Sequence, residues 1–84
     1  MPSVYIIECN DGSFYTGITN DLDKRITAHN GGHGAKYTKS RRPVRLRYSE
    51  PASDRGQASQ REYTIKSLPK SAKLELITTQ LAKT

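Results

Sequence analysis

Cysteine is nearly absent: Cys9 stands alone, so no disulfide can form within the chain. No apolar run is long enough to span a bilayer as a helix. The opening stretch, MPSVYIIECNDG, has no basic start leading into a long apolar segment, so no signal peptide is expected. These absences point to a reducing, cytoplasmic setting without membrane contact. Hydrophobic residues are also scarce, at 33% of 84 residues. A chain of that length is expected to form a single domain, residues 1–84, around a small core. With so little apolar surplus, a polar residue on an inward stripe needs a reason. Internal repeats and low-complexity linkers are missing as well.

Acids are missing where bases gather. From Lys24 to Arg47 there are eight Lys and Arg residues and no Asp or Glu, in a chain of net charge +6. A block of one sign favours a polyanion, most often nucleic acid. A solvated basic surface is the plainer alternative.

SVYIIEC and SFYTGIT are rich in β-branched and aromatic residues and flank NDG, which predicts a β-hairpin. Asn20 or Asp21 is placed to cap a helix running to about Asn30. NGGHGAKYTKSRRP is long, glycine-rich and basic, and a loop of that length in so small a domain points to function. VRLRYSE alternates, which predicts a third strand with Val44, Leu46 and Tyr48 on one face and Arg45 and Arg47 on the other. A second helix is predicted from about Ser53 to Leu68, ending before Pro69. A third starts near Ser71 and carries Leu74, Ile77 and Leu81 at helical spacing. The fold class that follows is α+β: an N-terminal hairpin plus a third strand, flanked by about three helices in the order β-β-α-β-α-α.

The hairpin register decides what the tyrosines do. NDG suits a three-residue loop, a type I turn with Gly12 in the left-handed conformation. Cys9 then faces Ser13, Ile7 faces Tyr15 and Tyr5 faces Gly17. Tyr5 and Tyr15 fall on one sheet face as diagonal neighbours, opposite Val4, Ile6, Phe14 and Ile18. A two-residue Asp-Gly loop would separate the tyrosines, because side chains alternate. Two half-buried strand aromatics with no further role are the ordinary alternative.

The first and second helices then carry polar residues inward. Leu22, Arg25, Ile26 and His29 share one narrow stripe, so Arg25 and His29 go where Leu22 and Ile26 go. A buried guanidinium needs an anionic partner, and a bound phosphate qualifies. Ala58, Glu62 and Ile65 share a stripe on the next helix. Glu62 there either pairs with Arg25 or ligates a hard cation such as magnesium. Two phenols, an arginine, a histidine and a carboxylate in a basic protein suit phosphodiester cleavage. A phenol or histidine takes a proton from water, while an arginine and a metal hold the developing phosphate charge.

The ordered set has a likeness. VYI at Val4 to Ile6, YTG at Tyr15 to Gly17, Arg25 and His29 on the first helix and Glu62 downstream resemble the signature of the GIY-YIG nucleases, from Val4 to about Leu81. Val4 stands where the first motif has its glycine, and Thr16 fills the middle of the second. GAKYT at Gly34 to Thr38 and RRPV at Arg41 to Val44 are similar to the loop of the small stand-alone bacterial members. The resemblance implies metal-dependent hydrolysis of a nucleic-acid phosphodiester. Tyr5 would activate or position the attacking water, with Tyr15 in support. Arg25 would hold the scissile phosphate, and His29 would aid proton transfer or the hydrogen-bond network. Glu62 would bind Mg2+ (or Mn2+), which stabilises the leaving oxygen. Gly17 would let backbone or substrate come close. Many members use a further polar residue in the last third, for which Lys66 and Lys70 are candidates.

Lys36, Tyr37, Lys39, Arg41 and Arg42 are expected to meet phosphates, with Tyr37 able to stack on a base. His33 is expected to be an exposed loop residue, since no second ligand sits at metal-site spacing. Cys9 is expected to be a small buried residue. The functional expectation is an endonuclease or nickase, with DNA ahead of RNA. The alternatives are a non-catalytic nucleic-acid-binding module of the same fold, or an RNA- or ribosome-associated basic protein. No protein partner is indicated.

Overall fold

In the computed structural model, which describes residues 1–82, the chain runs through β1 (Ser3–Glu8), β2 (Phe14–Thr19), α1 (Leu22–Asn30), α2 (Lys36–Lys39), β3 (Arg45–Pro51), α3 (Arg55–Lys66) and α4 (Lys70–Ala82). The three strands form one antiparallel sheet in the order β2-β1-β3. The expected architecture is therefore present, with one addition: a single helical turn, α2, inside the basic loop. No helix among the described residues is long and apolar enough to cross a membrane.

The hairpin adopts the three-residue register, pairing Tyr5 with Gly17 and Ile7 with Tyr15. Cys9 and Ser13 close it with a 2.8 Å backbone hydrogen bond. Gly12 has φ +84°, where a side chain would be strained. Asp11 stiffens the turn, its carboxylate accepting from the Ser13 amide at 3.0 Å and the Ser13 hydroxyl at 2.6 Å.

Alternation along β1 divides the core into two layers. Val4 and Ile6 pack with Phe14, Ile18, Tyr48, Ala58, Ile65 and Ile77, so α3 and α4 cover that face. Tyr5, Ile7 and Cys9 pack with Tyr15, Leu22, Ile26 and Val44, so α1 covers the other. The helices begin where short acids can cap them. Asp21 accepts from the Lys24 amide at 3.1 Å and Asp54 from the Gln57 amide at 2.8 Å. Side chains fasten the outer helices to β3. Arg61 donates to Glu50 at 2.9 Å, and Gln80 brackets the backbone of Ser49 at 2.6 and 3.3 Å.

Two expectations need correction. Val44, Leu46 and Tyr48 do not share a face. Ile6 pairs with Tyr48 and Ile7 with Leu46, leaving Arg47 as an extra residue in β3. This bulge reverses the alternation. Val44 thus joins the Tyr5 layer and Tyr48 the Ile6 layer, while Leu46 stands 41% exposed. The stripe predicted for the last helix is also thinner than its spacing suggests. Ile77 is buried and Leu76 packs beside it, but Leu74 and Leu81 are exposed.

Thr16 sits opposite Ile6, fully buried, with no hydrogen-bond partner for its hydroxyl among the described residues. Valine keeps the shape and removes the unsatisfied group. Thr16→Val should therefore raise stability by about 1 kcal/mol. A higher urea midpoint at unchanged slope would record it; a lower midpoint would show that the hydroxyl is bonded in solution.

Candidate active site

Tyr5 lies on the central strand, so its ring enters the protein between sheet and α1 and is fully buried. Its phenol can lie over β2 only because Gly17 is opposite. A Cβ at position 17 would fall 2.5 Å from the Tyr5 oxygen and 2.7 Å from Cζ. On α1, Leu22 and Ile26 bind the helix to this layer, and their stripe brings Arg25 and His29 with them. His29 is 0% exposed. Its Nε2 is 2.8 Å from the Tyr5 hydroxyl, and Arg25 donates from Nε to the same oxygen at 3.2 Å.

The glycine-rich loop completes the cluster from the opposite side. His29 Nδ1 is 2.8 Å from the Thr38 hydroxyl, which donates to the Ala35 carbonyl at 3.1 Å. Arg25 also donates to the Gly34 carbonyl at 3.2 Å. Gly34 presses so close that a Cβ there would lie 2.2 Å from Nδ1. Neither Gly34 nor Thr38 is marked as a site residue by the sequence pattern. The available signal was the length and glycine content of their loop, not any periodicity.

Tyr15 sets its ring edge-on to His29 at 5.4 Å between centroids. Tyr37 stacks on Tyr15 at 5.9 Å, and the Arg41 guanidinium lies 3.9 Å from the Tyr37 ring centre. Arg41 is held there by Asp11 at 3.1 Å and by the Tyr37 carbonyl at 2.8 Å. Arg42 donates to the carbonyls of Lys39 and Asn30 at 2.9 and 3.2 Å. Arg41 and Arg42 brace the loop backbone, and a base stacking on Tyr37 must compete with groups already against that ring. Lys36 and Lys39 remain exposed, as does His33.

Burial governs the protonation states. His29 titrates below its ordinary range, because burial disfavours the imidazolium and the Arg25 charge adds to that. The unfolded chain then takes up this proton first as pH falls, so the fold loses stability through the ordinary histidine range. The Tyr5 phenol is pushed up by burial, opposed by the hydrogen bond and charge of Arg25, with Tyr15 and Glu62 adding to the rise. At neutral pH Tyr5 is a phenol and His29 a neutral imidazole.

Glu62 takes a different position from the other four. Ala58 and Ile65 on its stripe are fully buried, but its own side chain is 25% exposed and pairs with Lys66 at 3.4 Å. The alternative pairing with Arg25 does not occur among the described residues, where no carboxylate partners that guanidinium. Glu62 still lies close enough to Tyr5 to raise its pKa. Among the described residues no group of three or more His, Cys, Asp or Glu could hold a metal. A single part-exposed carboxylate suits magnesium that keeps its waters and takes another ligand from a substrate phosphate, rather than a metal caged by protein alone. Lys70, the other late candidate, donates to the Gly12 carbonyl at 2.9 Å and sits 5.4 Å from the Phe14 ring centre, at the turn end of the hairpin.

The family model described as the GIY-YIG catalytic domain matches residues 1–75. A UPF0213 protein of Staphylococcus saprophyticus is 53% identical over 88% of this chain and 90% of its own length. One from Clostridium perfringens is 52% identical over 99% of this chain and 89% of its own. The solution NMR structure of a UPF0213 protein from Bacillus halodurans superposes with a TM-score of 0.60 at 44% identity, covering 94% of this chain and 85% of that one.

Proposed function

The chain belongs to the GIY-YIG family, and on that premise we propose that it is a metal-dependent endonuclease or nickase that hydrolyses nucleic-acid phosphodiesters, with DNA ahead of RNA. The observation that carries this reading is the buried phenol of Tyr5, held between His29 and Arg25 in a core with little polarity to spare. A packing tyrosine needs neither partner.

In this reading the water that attacks phosphorus gives a proton to the Tyr5 oxygen as the Tyr5 proton passes to His29 Nε2. The pKa directions of the pair oppose transfer at rest, so both protons move with the attack. The bond from phosphorus to the leaving oxygen breaks, and that oxygen takes a proton from solvent. Arg25 steadies the charge that develops on the Tyr5 oxygen and, lacking a carboxylate partner, faces the phosphate. Tyr15 supports the imidazole from the side. Glu62 would hold Mg2+ or Mn2+, which when bound supplies positive charge to the leaving oxygen. The exposed Lys24, Lys36 and Lys39 would take neighbouring phosphates.

The test is cleavage of single-stranded, duplex, nicked and branched DNA, and of RNA, with magnesium or manganese. Metal-dependent cutting that Tyr5→Phe abolishes is the expected result. Affinity should fall steeply with salt, and Lys36→Ala with Lys39→Ala should flatten the log–log slope by roughly 2 on duplex DNA. Salt-dependent binding without cleavage of any substrate would identify a binding module instead. An unchanged slope would make the basic loop a solvated face.

A further inference from the structure

We propose that Thr38 is a positioning residue that fixes His29 as its Nδ1–H tautomer and so keeps the Nε2 lone pair directed at Tyr5. Its kinetic consequence rests on the nuclease reading; the tautomer itself does not.

The argument is a count of protons in a closed space. Thr38 is 0% exposed, so its hydroxyl must be satisfied inside the protein. It has one proton and two neighbours, the Ala35 carbonyl at 3.1 Å and His29 Nδ1 at 2.8 Å. The hydroxyl donates either to the Ala35 carbonyl, which also accepts the Lys39 amide at 3.1 Å, and then accepts from Nδ1–H, or it donates to a bare Nδ1; the proton of Tyr5 selects the first arrangement. A neutral imidazole carries one N–H, which leaves Nε2 bare. Nε2 can then only accept, and the group 2.8 Å away that can donate is the Tyr5 hydroxyl. The Tyr5 oxygen in turn accepts from Arg25 Nε at 3.2 Å. The two hydroxyl protons, the imidazole N–H and the Arg25 Nε–H then each have an acceptor.

The opposite tautomer fails this count. With Nε2–H, the Tyr5 oxygen would accept from both His29 and Arg25, and its own proton would have no acceptor among the described residues. Such a histidine could not take the Tyr5 proton. The groups facing the imidazole are Tyr5 from β1, Tyr15 from β2, Arg25 from its own helix and the uncharged Thr38 from α2, with Gly34 closing the side next to Nδ1. Thr38 is thus the group that distinguishes the two ring nitrogens from the Nδ1 side. The glycine-rich loop brings its hydroxyl to the ring, and Gly34 lets the backbone approach closely enough to hold it there.

Long-range 1H–15N correlation spectra of the imidazole nitrogens test this without any substrate. His29 in the intact protein should show Nδ1 protonated and Nε2 bare at neutral pH. An Nε2–H signature there would overturn the proposal whether or not the protein cuts. In Thr38→Val the preference should be lost; in Thr38→Ser it should remain. In the cleavage assay Thr38→Val should lower kcat roughly 10–100-fold, the range for partners that orient a working histidine, with KM and the salt slope unchanged. Thr38→Ser should recover the rate to within a few-fold. Retention of both tautomer and rate in Thr38→Val would also overturn it. Should Thr38→Val fail to fold, the parent spectrum and Thr38→Ser decide. Should the parent cut nothing, the nuclease reading falls and the tautomer assignment stands or falls on its spectrum alone.

Discussion

Glu62→Gln is expected to yield a folded protein that binds nucleic acid and does not cut it. The amide keeps the side chain's shape and removes its charge, and with it the hard anionic oxygen that magnesium requires. The structural cost is small, because the partner is Lys66 one helical turn away, with both side chains partly in solvent. An exposed pair of that kind contributes about 0.3–0.5 kcal/mol. Had Glu62 been buried against Arg25, removing its charge would have cost about 3–5 kcal/mol and confused folding with function. The observed pairing makes the variant a clean probe. The loss in rate should be large, since a metal supplies several kcal/mol of charge stabilisation and each 1.36 kcal/mol is worth a factor of ten, so roughly a thousandfold or more. Cleavage with and without metal, beside a binding curve and a melting curve, checks all three parts. Parental activity in Glu62→Gln would assign the cutting to something other than this site.

Gly17→Ala should produce the second large effect, by a route that involves no charge. The added methyl would meet the Tyr5 oxygen at 2.5 Å and Cζ at 2.7 Å. That ring is fully buried and its hydroxyl is held by His29 and Arg25, so it has nowhere to go without breaking those hydrogen bonds. Overpacking of this kind costs about 1–3 kcal/mol. Cleavage should fall far more than stability, because displacement of a reacting group by even 1 Å can cost about a hundredfold. Gly12→Ala is the control. Nothing lies within 4 Å of a Cβ there, so its penalty comes only from φ +84° and leaves the site in place. Equal loss of cleavage in the two variants would mean that the contact with Tyr5 is not the cause.

The hairpin register, the Asp21 cap and the inward stripe of α1 were legible because each is set by residues close in sequence. A turn tripeptide, a short acid before a helix and a 3.6-residue period carry their own geometry. The proximity of Tyr5, Tyr15, Arg25 and His29 followed from those three signals. The bulge in β3 was not legible, because it arises from pairing with β1, forty residues away in the chain, and VRLRYSE alternates perfectly well without it. The contacts of Gly34 and Thr38 were hidden for a similar reason: an irregular loop has no period from which to project a side chain. Charge counting also does not show that Arg41 and Arg42 already hold partners within the protein. It treats cations as available to a ligand, whereas these guanidinium groups are engaged with backbone carbonyls, Asp11 and the Tyr37 ring.

The bulge at Arg47 divides β3 into two halves with different obligations. Just ahead of the strand, Val44 belongs to the layer that surrounds Tyr5; after the bulge, Tyr48 belongs to the layer under α3 and α4. A single strand therefore serves as the hinge-pin of both compartments, and the chain crosses between them without leaving the sheet. Length is the constrained quantity at this point: one residue more or fewer would exchange the two compartments' side chains along the rest of the strand.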